Sequence, residues 1–396
     1  MVRKLGNIKL HIWQIVLYGA IAVLLTEQIT VNEAIHSIDY DVLLFLFGVF
    51  VVGEALHHSG YLAHISYKFF KRAKSVDSLI LLVLFGMGFA SALLMNDTTA
   101  IIGTPVVLLL ARKHKMHPQL MLHTLAIAIT TGSVISPIGN PQNLLIAMHG
   151  DIPNMFGTFL SYLFVPTVIN LFLAYVLLRV FYKEHFVKGH LEHSQEPIHD
   201  HDLALLSKVS LGLFAILVAV KAISVSVPLG FDFRLTFIAL IAALPIVLFS
   251  PKRFVILRRI DWYTLIFFAA IFVLMESVWN TGFFQDLLVQ MAVDITDTPV
   301  ILGTSVVLSQ LISNVPFVAL FLPVLDFAGA GLEGMMALAA GSTIAGNLFI
   351  FGAASTIIII QQAERRAGET LRFLQFAKVG IPLTLLNLLV YWVFLG

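Results

Sequence analysis

The chain contains no cysteine, and charged residues make up only 12% of it. The first absence excludes disulfides, thiol nucleophiles and zinc–thiolate sites, though it identifies no compartment. The second excludes an ordinary soluble domain, in which roughly a quarter of residues carry charge. His-Glu-x-x-His, Gly-x-Gly-Asp and Gly-x-Ser-x-Gly are missing as well, so no hydrolase signature is present. An intramembrane enzyme is therefore a remote reading, and the chain is expected not to be an enzyme. A net charge of +1 argues neither for nor against nucleic acid, and none is expected as a partner.

What is present is hydrocarbon. Of 396 residues, 59% are hydrophobic, and apolar stretches of about 20 residues, each long enough to cross a bilayer, recur from end to end. Continuous spans read at 10–28, 41–58, 157–182, 208–227, 233–250, 261–282 and 375–395. The basic start MVRKLGNIKLHIW runs into the first of these without a small-residue cleavage site, so it reads as a retained span.

Four further stretches break the pattern. Residues 78–112 and 299–327 are apolar but interrupted midway, by Asn96-Asp97-Thr98-Thr99 and by Ser313-Asn314. Residues 120–148 and 335–362 are long helical runs broken by SPIGNPQN and FGAAST. Lysine and arginine placement predicts how these connect. If 78–112 and 299–327 are re-entrant hairpins and the other two cross once, the basic residues fall on one side, with only Lys221 and Arg234 left over. That side is then cytoplasmic, with the N-terminus inside and the C-terminus outside. A full crossing at 78–112 would invert everything downstream and destroy the agreement.

The halves also match. Glu54 aligns with Glu276, Gly60 with Gly282, Asn96 with Asn314, Asp97 with Val315, and GNPQN (139–143) with GAAST (352–356). An odd number of crossings separates the matched elements, so the expectation is an all-α polytopic membrane protein of two inverted-topology repeats. The first covers 1–182, with its hairpin at 78–112 and broken helix at 120–148. The second covers 233–396, with its hairpin at 299–327 and broken helix at 335–362. A His-rich cytoplasmic linker and a connecting helix fill 183–232. This is the ground plan of a secondary transporter, in which broken helices meet near the bilayer midplane.

Non-helical backbone survives at membrane depth only inside protein or along a wet site. The hairpin tips and helix breaks therefore supply the candidate residues. Asp97 stands out, because an ionisable group at that depth costs about 2.5–3.5 kcal/mol. The alternative is a structural carboxylate capping the second hairpin arm. Asn96, Asp97, Thr98, Ser136, Gly139 and Asn140 are candidates for a coupling ion, with Na⁺ at Asn96, Asp97 and Asn140. Asn96, Thr98, Thr99, Asn140, Gln142, Asn143, Ser313, Asn314, Gly352, Ser355 and Thr356 are candidates for the solute. Glu54 and Glu276 are expected to support helix contacts near span ends, and the linker histidines to be solvated.

At GEALHHSGY, MNDTTA with its following TP, GSVISPIGNPQN, SNVPF and GNLFIFGAAST, the chain resembles the ion transporter superfamily. That group includes divalent-anion/sodium symporters, citrate transporters, arsenite efflux pumps and D-type sodium/proton antiporters. In the symporters, Ser-Asn-Thr motifs at both tips hold carboxylates, and Asn96, Thr98, Ser313 and Asn314 match them. Val315 stands where a threonine is expected, and the Asn96-Asp97 pair is similar to the pump and antiporter branches. The resemblance implies alternating access, a homodimer and a bacterial or archaeal plasma membrane. The expected function is secondary transport of a small carboxylate or oxyanion-class anion, or a metalloid, coupled to H⁺ or Na⁺, with no other cofactor. The alternative is a sodium/proton antiporter without another solute.

Overall fold

The computed structural model describes residues 2–5, 8–70, 72–150, 152–186, 198–224, 234–282 and 295–396. A two-stranded hairpin, Val2–Leu5 with Ile8–His11, is the one departure from an all-helical chain among the described residues. It occupies the basic segment read as the approach to the first span, which begins as α1 (Ile12–Leu25). A short helix α2 (Val31–Ser37), closed by a Thr30–Glu33 capping box, leads to α3 (Tyr40–His58). The amphipathic α4 (Tyr61–Phe70) follows, and neither α2 nor α4 was expected from apolar runs.

The expected hairpin at 78–112 is two helices, α5 (Val76–Leu94) and α6 (Asn96–Lys113), joined by Met95 alone. The first broken helix is α7 (Pro118–Gly132), a 3₁₀ turn at Ser133–Ile135, and α8 (Pro141–His149). Proline opens both helices, at the position where its missing N–H costs nothing. The long α9 (Met155–Phe181) closes the first half. After the linker, α10 (His201–Ser224) starts seven residues before the expected 208. Most of the His-rich linker, including Lys188, lies outside the described residues.

The second half holds α11 (Leu235–Phe249), the short basic α12 (Arg253–Arg259) and α13 (Trp262–Asn280). Its hairpin is α14 (Thr298–Ile312) and α15 (Asn314–Phe327), joined by Ser313 alone. Its broken helix is α16 (Leu332–Ile344), two 3₁₀ turns, and α17 (Ala354–Ala367), before the closing α18 (Phe373–Leu395). Among the described residues, seven helices are long and apolar enough to cross a membrane by length and composition.

Each hairpin begins and ends at one end of the molecule. Asp77 at the start of α5 pairs with Arg179 near the end of α9. His123 of α7 lies 3.2 Å from the Tyr182 hydroxyl, just past α9. Since only residues 114–117 link α6 to α7, both arms of the first hairpin meet the end of α9. The second hairpin meets its start. Tyr162 donates to Glu333 of α16 at 3.2 Å, Thr298 of α14 donates to the Leu395 carbonyl at 3.2 Å, and Thr167 meets Tyr391 at 2.7 Å. The two hairpins therefore enter from opposite ends of α9.

Charge follows the same division. At the end where α9 finishes, Lys252 pairs with Asp200 at 2.6 Å, Arg259 with His58 at 3.1 Å, and Arg366 with His57 at 3.4 Å. At the other end Asp39 holds His149 at 2.6 Å, and Asp41 holds Arg234 at 3.2 Å, placing that leftover arginine where the charge argument left it. Burial raises the Asp39 carboxyl, but its bonds to His149 and the Val42 N–H outweigh this and hold it below the usual carboxylate value.

Small residues let the helices close up, as expected where the surroundings are apolar too. A Cβ on Gly132 of α7 would sit 2.3 Å from the Gly88 Cα of α5, and one on Gly48 of α3 would sit 2.6 Å from the Ala239 carbonyl carbon of α11.

Candidate functional site

The first tip turns on Met95, at φ 66° and ψ 149°, a conformation unusual for a residue with a side chain. The reversal is held from two sides. The Asn96 N–H donates to the Gly139 carbonyl at 2.9 Å, tying the tip to the first helix break, and the Thr99 hydroxyl donates back to the Met95 carbonyl at 2.8 Å. Gly139 itself admits no side chain, since a Cβ there would lie 2.1 Å from the Ser133 carbonyl oxygen. Asn96 and Thr98 are buried, and the side-chain Oδ1 of Asn96 has no partner among the described residues.

Asp97 does not cap α6. The capping position is Met95, which offers no side-chain bond, and Asp97 sits in the first turn.

The first break is stapled by its own amides. Asn140 caps α8 by accepting from the Asn143 N–H at 2.8 Å, while its NH₂ donates to Ser133 Oγ and Thr343 Oγ1, both at 3.1 Å. Asn143 donates to the Ser136 carbonyl at 3.1 Å and accepts from Thr343 Oγ1 at 3.2 Å. Gln142 reaches the same Thr343 at 3.4 Å. Of these three buried amides, Asn140 and Asn143 thus satisfy backbone groups opened by the break, and Ser136 Oγ accepts from the Ile138 N–H at 3.3 Å. Thr343 of α16, which the sequence reading missed, joins the two halves here. Within an apolar helix of small residues it carried no signal.

The second tip repeats the reversal at Ser313, with φ 79° and ψ 157°, and again has no side-chain cap. Asn314 is buried with its carbonyl oxygen unpartnered, as at Asn96. The second break is held by Gln310, whose NH₂ donates to the Ala345 carbonyl at 2.6 Å, and by Asn347, which donates to Thr131 at 3.0 Å. Gly352 packs so that a Cβ would lie 2.7 Å from the Ala345 carbonyl. The hydroxyls of Ser355 and Thr356 are buried without partners.

All four irregular stretches border one cavity of about 550 Å³. Its lining includes Asp97 and Ser313 from the tips, Val315 beside the second tip, and Pro141 and Ala354 from the breaks. The opposite wall is Trp13 and Gln14 of α1 with Asp261, Tyr263, Thr264, Phe267 and Phe268 at the start of α13. Among the described residues, no lysine, arginine or histidine lines it. Asp261 caps α13, accepting from the Thr264 N–H at 3.1 Å and its hydroxyl at 2.6 Å. A sequence gives no reason to separate this aspartate from an ordinary helix cap, so its place opposite Asp97 was not foreseen. Of the candidate residues, Asp97 and Ser313 face this cavity, and Thr98 lines a smaller one of about 60 Å³ with Asp97, Asp261, Glu54, His57 and Arg259. Asn140, Gln142 and Asn143 stand behind the cavity as its framework.

A third cavity, of about 350 Å³, lies further along α13, lined by Phe272, Met275, Glu276 and Trp279 together with His149 of α8 and Asp326 of α15. Phe268 of the large cavity and Phe272 of this one, one turn apart on α13, are in ring contact, 6.3 Å between centroids.

Similar proteins fit this arrangement. The family model described as citrate transporter (CitMHS) matches residues 5–335. An uncharacterized transporter of Mycobacterium tuberculosis is 29% identical, over 94% of this chain and 90% of its own. The P protein of Mus musculus is 24% identical over 91% of this chain but only 54% of its own length. Among solved structures, the YdaH transporter of Alcanivorax borkumensis, described as having an unusual topology, aligns with a TM-score of 0.59 at 16% identity. That alignment covers 90% of this chain and 84% of the YdaH chain, a likeness of fold alone. With the family model spanning most of its length, the chain belongs to the citrate transporter family, within the ion transporter superfamily, and is an integral membrane transporter.

Proposed function

We propose that this transporter moves a small carboxylate or oxyanion-class anion by alternating access, coupled to H⁺ or Na⁺ at Asp97. The observation that carries the reading is the 550 Å³ cavity on which both tips and both breaks converge. Helices α6, α15 and α17 begin there without side-chain caps, so their positive dipole ends and first-turn N–H groups, in α6 those after Asn96, are available to an anion. Citrate, named by the family description, is the first solute to try. Among the described residues the lining has two carboxylates and no basic side chain, so helix N-termini and a co-bound cation neutralise the anion together. Two separate cavities along α13, one lined by Phe268 and the other by Phe272, support an arrangement that opens to one end at a time. By the distribution of basic residues, the end where α9 finishes is cytoplasmic.

The two facing carboxylates favour one second reading, cation exchange with no other solute. Purified chain in liposomes separates the two. Under the first reading, an imposed pH or Na⁺ gradient drives labelled citrate, or another small anion, above equilibrium. Sodium–proton exchange without any anion flux would establish the second reading instead.

A further inference from the structure

The small cavity beside the site holds a glutamate to which the reading above gives no task. From Glu54 of α3, His57 of the same helix, Arg259 at the end of α12, and Asp97 and Thr98 of α6, the chain builds a space of about 60 Å³. That is room for a few waters, at roughly 10–15 Å³ each. Gly53 makes the approach possible, because a Cβ there would lie 2.6 Å from the Thr98 methyl, so α3 and the first tip touch immediately beside Glu54. Glu54 is half-buried and makes no ion pair among the described residues, although Arg259 acts on it electrostatically. The charged groups around it are His57 and His58 on its own helix, Asp97 on α6, Arg259 and Asp261 at the foot of α13, and Arg366 of α17 through His57. Beyond them stands the Asp200–Lys252 pair. Asp97 and Asp261 border both this space and the 550 Å³ cavity. Glu54 is therefore separated from Asp97 by the small cavity, and it faces the arginine-rich end.

We infer that Glu54 is the proton-exchange residue of Asp97, passing protons between the arginine-rich end and the coupling site through the small cavity. The step is balanced. The O–H bond of the Glu54 carboxyl breaks as its proton passes to cavity water, and that water gives a proton to the Asp97 carboxylate. Glu54, now a carboxylate beside Arg259, regains a proton from the arginine-rich end. The path runs outside the large cavity, so a bound anion does not block it. This inference rests on Asp97 being the coupling group, and it selects H⁺ as the ion.

The test needs no known solute. In the purified full chain, infrared difference spectra after a pH jump follow the protonated-carboxyl band that Asp97→Asn removes. In Glu54→Gln that band should remain but appear about tenfold or more slowly. Glu54→Asp should restore part of the rate, and added formate, a small diffusible acid, should rescue Glu54→Gln. A structural role for Glu54 would show no formate rescue. Unchanged kinetics in a folded Glu54→Gln would overturn the inference, as would a band lost together with Glu54. If Asp97→Asn removes no band, the coupling role of Asp97 fails instead, whatever Glu54 does.

Discussion

The two hairpins share a backbone and differ in chemistry. Each turns on a single buried or half-buried residue with nearly the same dihedrals, Met95 at φ 66° and ψ 149° and Ser313 at φ 79° and ψ 157°. Each presents an asparagine as the first residue of its second arm, with an unpartnered carbonyl oxygen. One residue later the first carries Asp97 and the second Val315, and both side chains border the same cavity. The breaks diverge too. The first is filled with interlocking amides, whereas the second keeps two buried hydroxyls unpaired. One backbone plan thus carries two different chemistries, as the proposed division between an ion-holding tip and a solute-holding tip requires.

The largest effect should come from erasing that difference. Asp97→Asn keeps size and most bonding capacity but removes the switchable charge. Gradient-driven accumulation should fall by about tenfold or more while solute exchange persists. Accumulation equal to the parent, with unchanged pH and Na⁺ dependence, would mean the two tips are equivalent after all.

The breaks can be compared through their glycines. Gly139→Ala forces a Cβ against the Ser133 carbonyl at 2.1 Å, where the backbone itself must move. Gly352→Ala meets the Ala345 carbonyl at 2.7 Å and the movable Gln310 amide at 3.0 Å. Thermal melts in detergent should show the first near or beyond the upper end of the ~1–3 kcal/mol overpacking range, and the second well below it. Similar losses would mean that the second break is as tightly held as the first.

Thr343→Val removes the hydroxyl shared by Asn140, Gln142 and Asn143 and should cost about 1–3 kcal/mol in the same melts. The cost should be far smaller for Ser355→Ala, whose hydroxyl has no partner to lose.

Asn314→Ala should weaken solute binding several-fold and leave proton or Na⁺ binding intact, whereas Asn96→Ala, next to Asp97, should disturb both. Isothermal titration with citrate and with Na⁺ reads the two separately. An ion-binding defect in Asn314→Ala would show that the tips share one site.

The smallest effect belongs to the arginine-rich end. Hydrogen bonds from Lys252 and from the Leu203 N–H hold the Asp200 carboxyl below its usual 3.8. A lowered carboxyl stabilises the fold above pH 3.8 and loses that contribution as pH falls through the lowered value. Lys252→Gln should therefore cost at most about 1 kcal/mol near neutral pH, and nothing once Asp200 is protonated.

The sequence by itself determined the layout. A polar tetrad and a polar pair inside apolar runs, two glycine-bearing interruptions of long helical runs, and the sidedness of lysine and arginine marked both hairpins and both breaks. The physical reason is that a bilayer punishes polar backbone and charge so heavily that their positions are informative without any contact being known. Only the tertiary structure decided which polar groups face the cavity and which hold it up. Asn140 and Asn143 looked like ligands and are spent on the break. Asp261 looked like a helix cap and is one, yet it also faces Asp97. Thr343 gave no sign at all, and Glu54 read as a residue at a span end. A side chain's task inside a membrane depends on which neighbour consumes its hydrogen bonds, and those neighbours stand up to about 200 residues away in the chain.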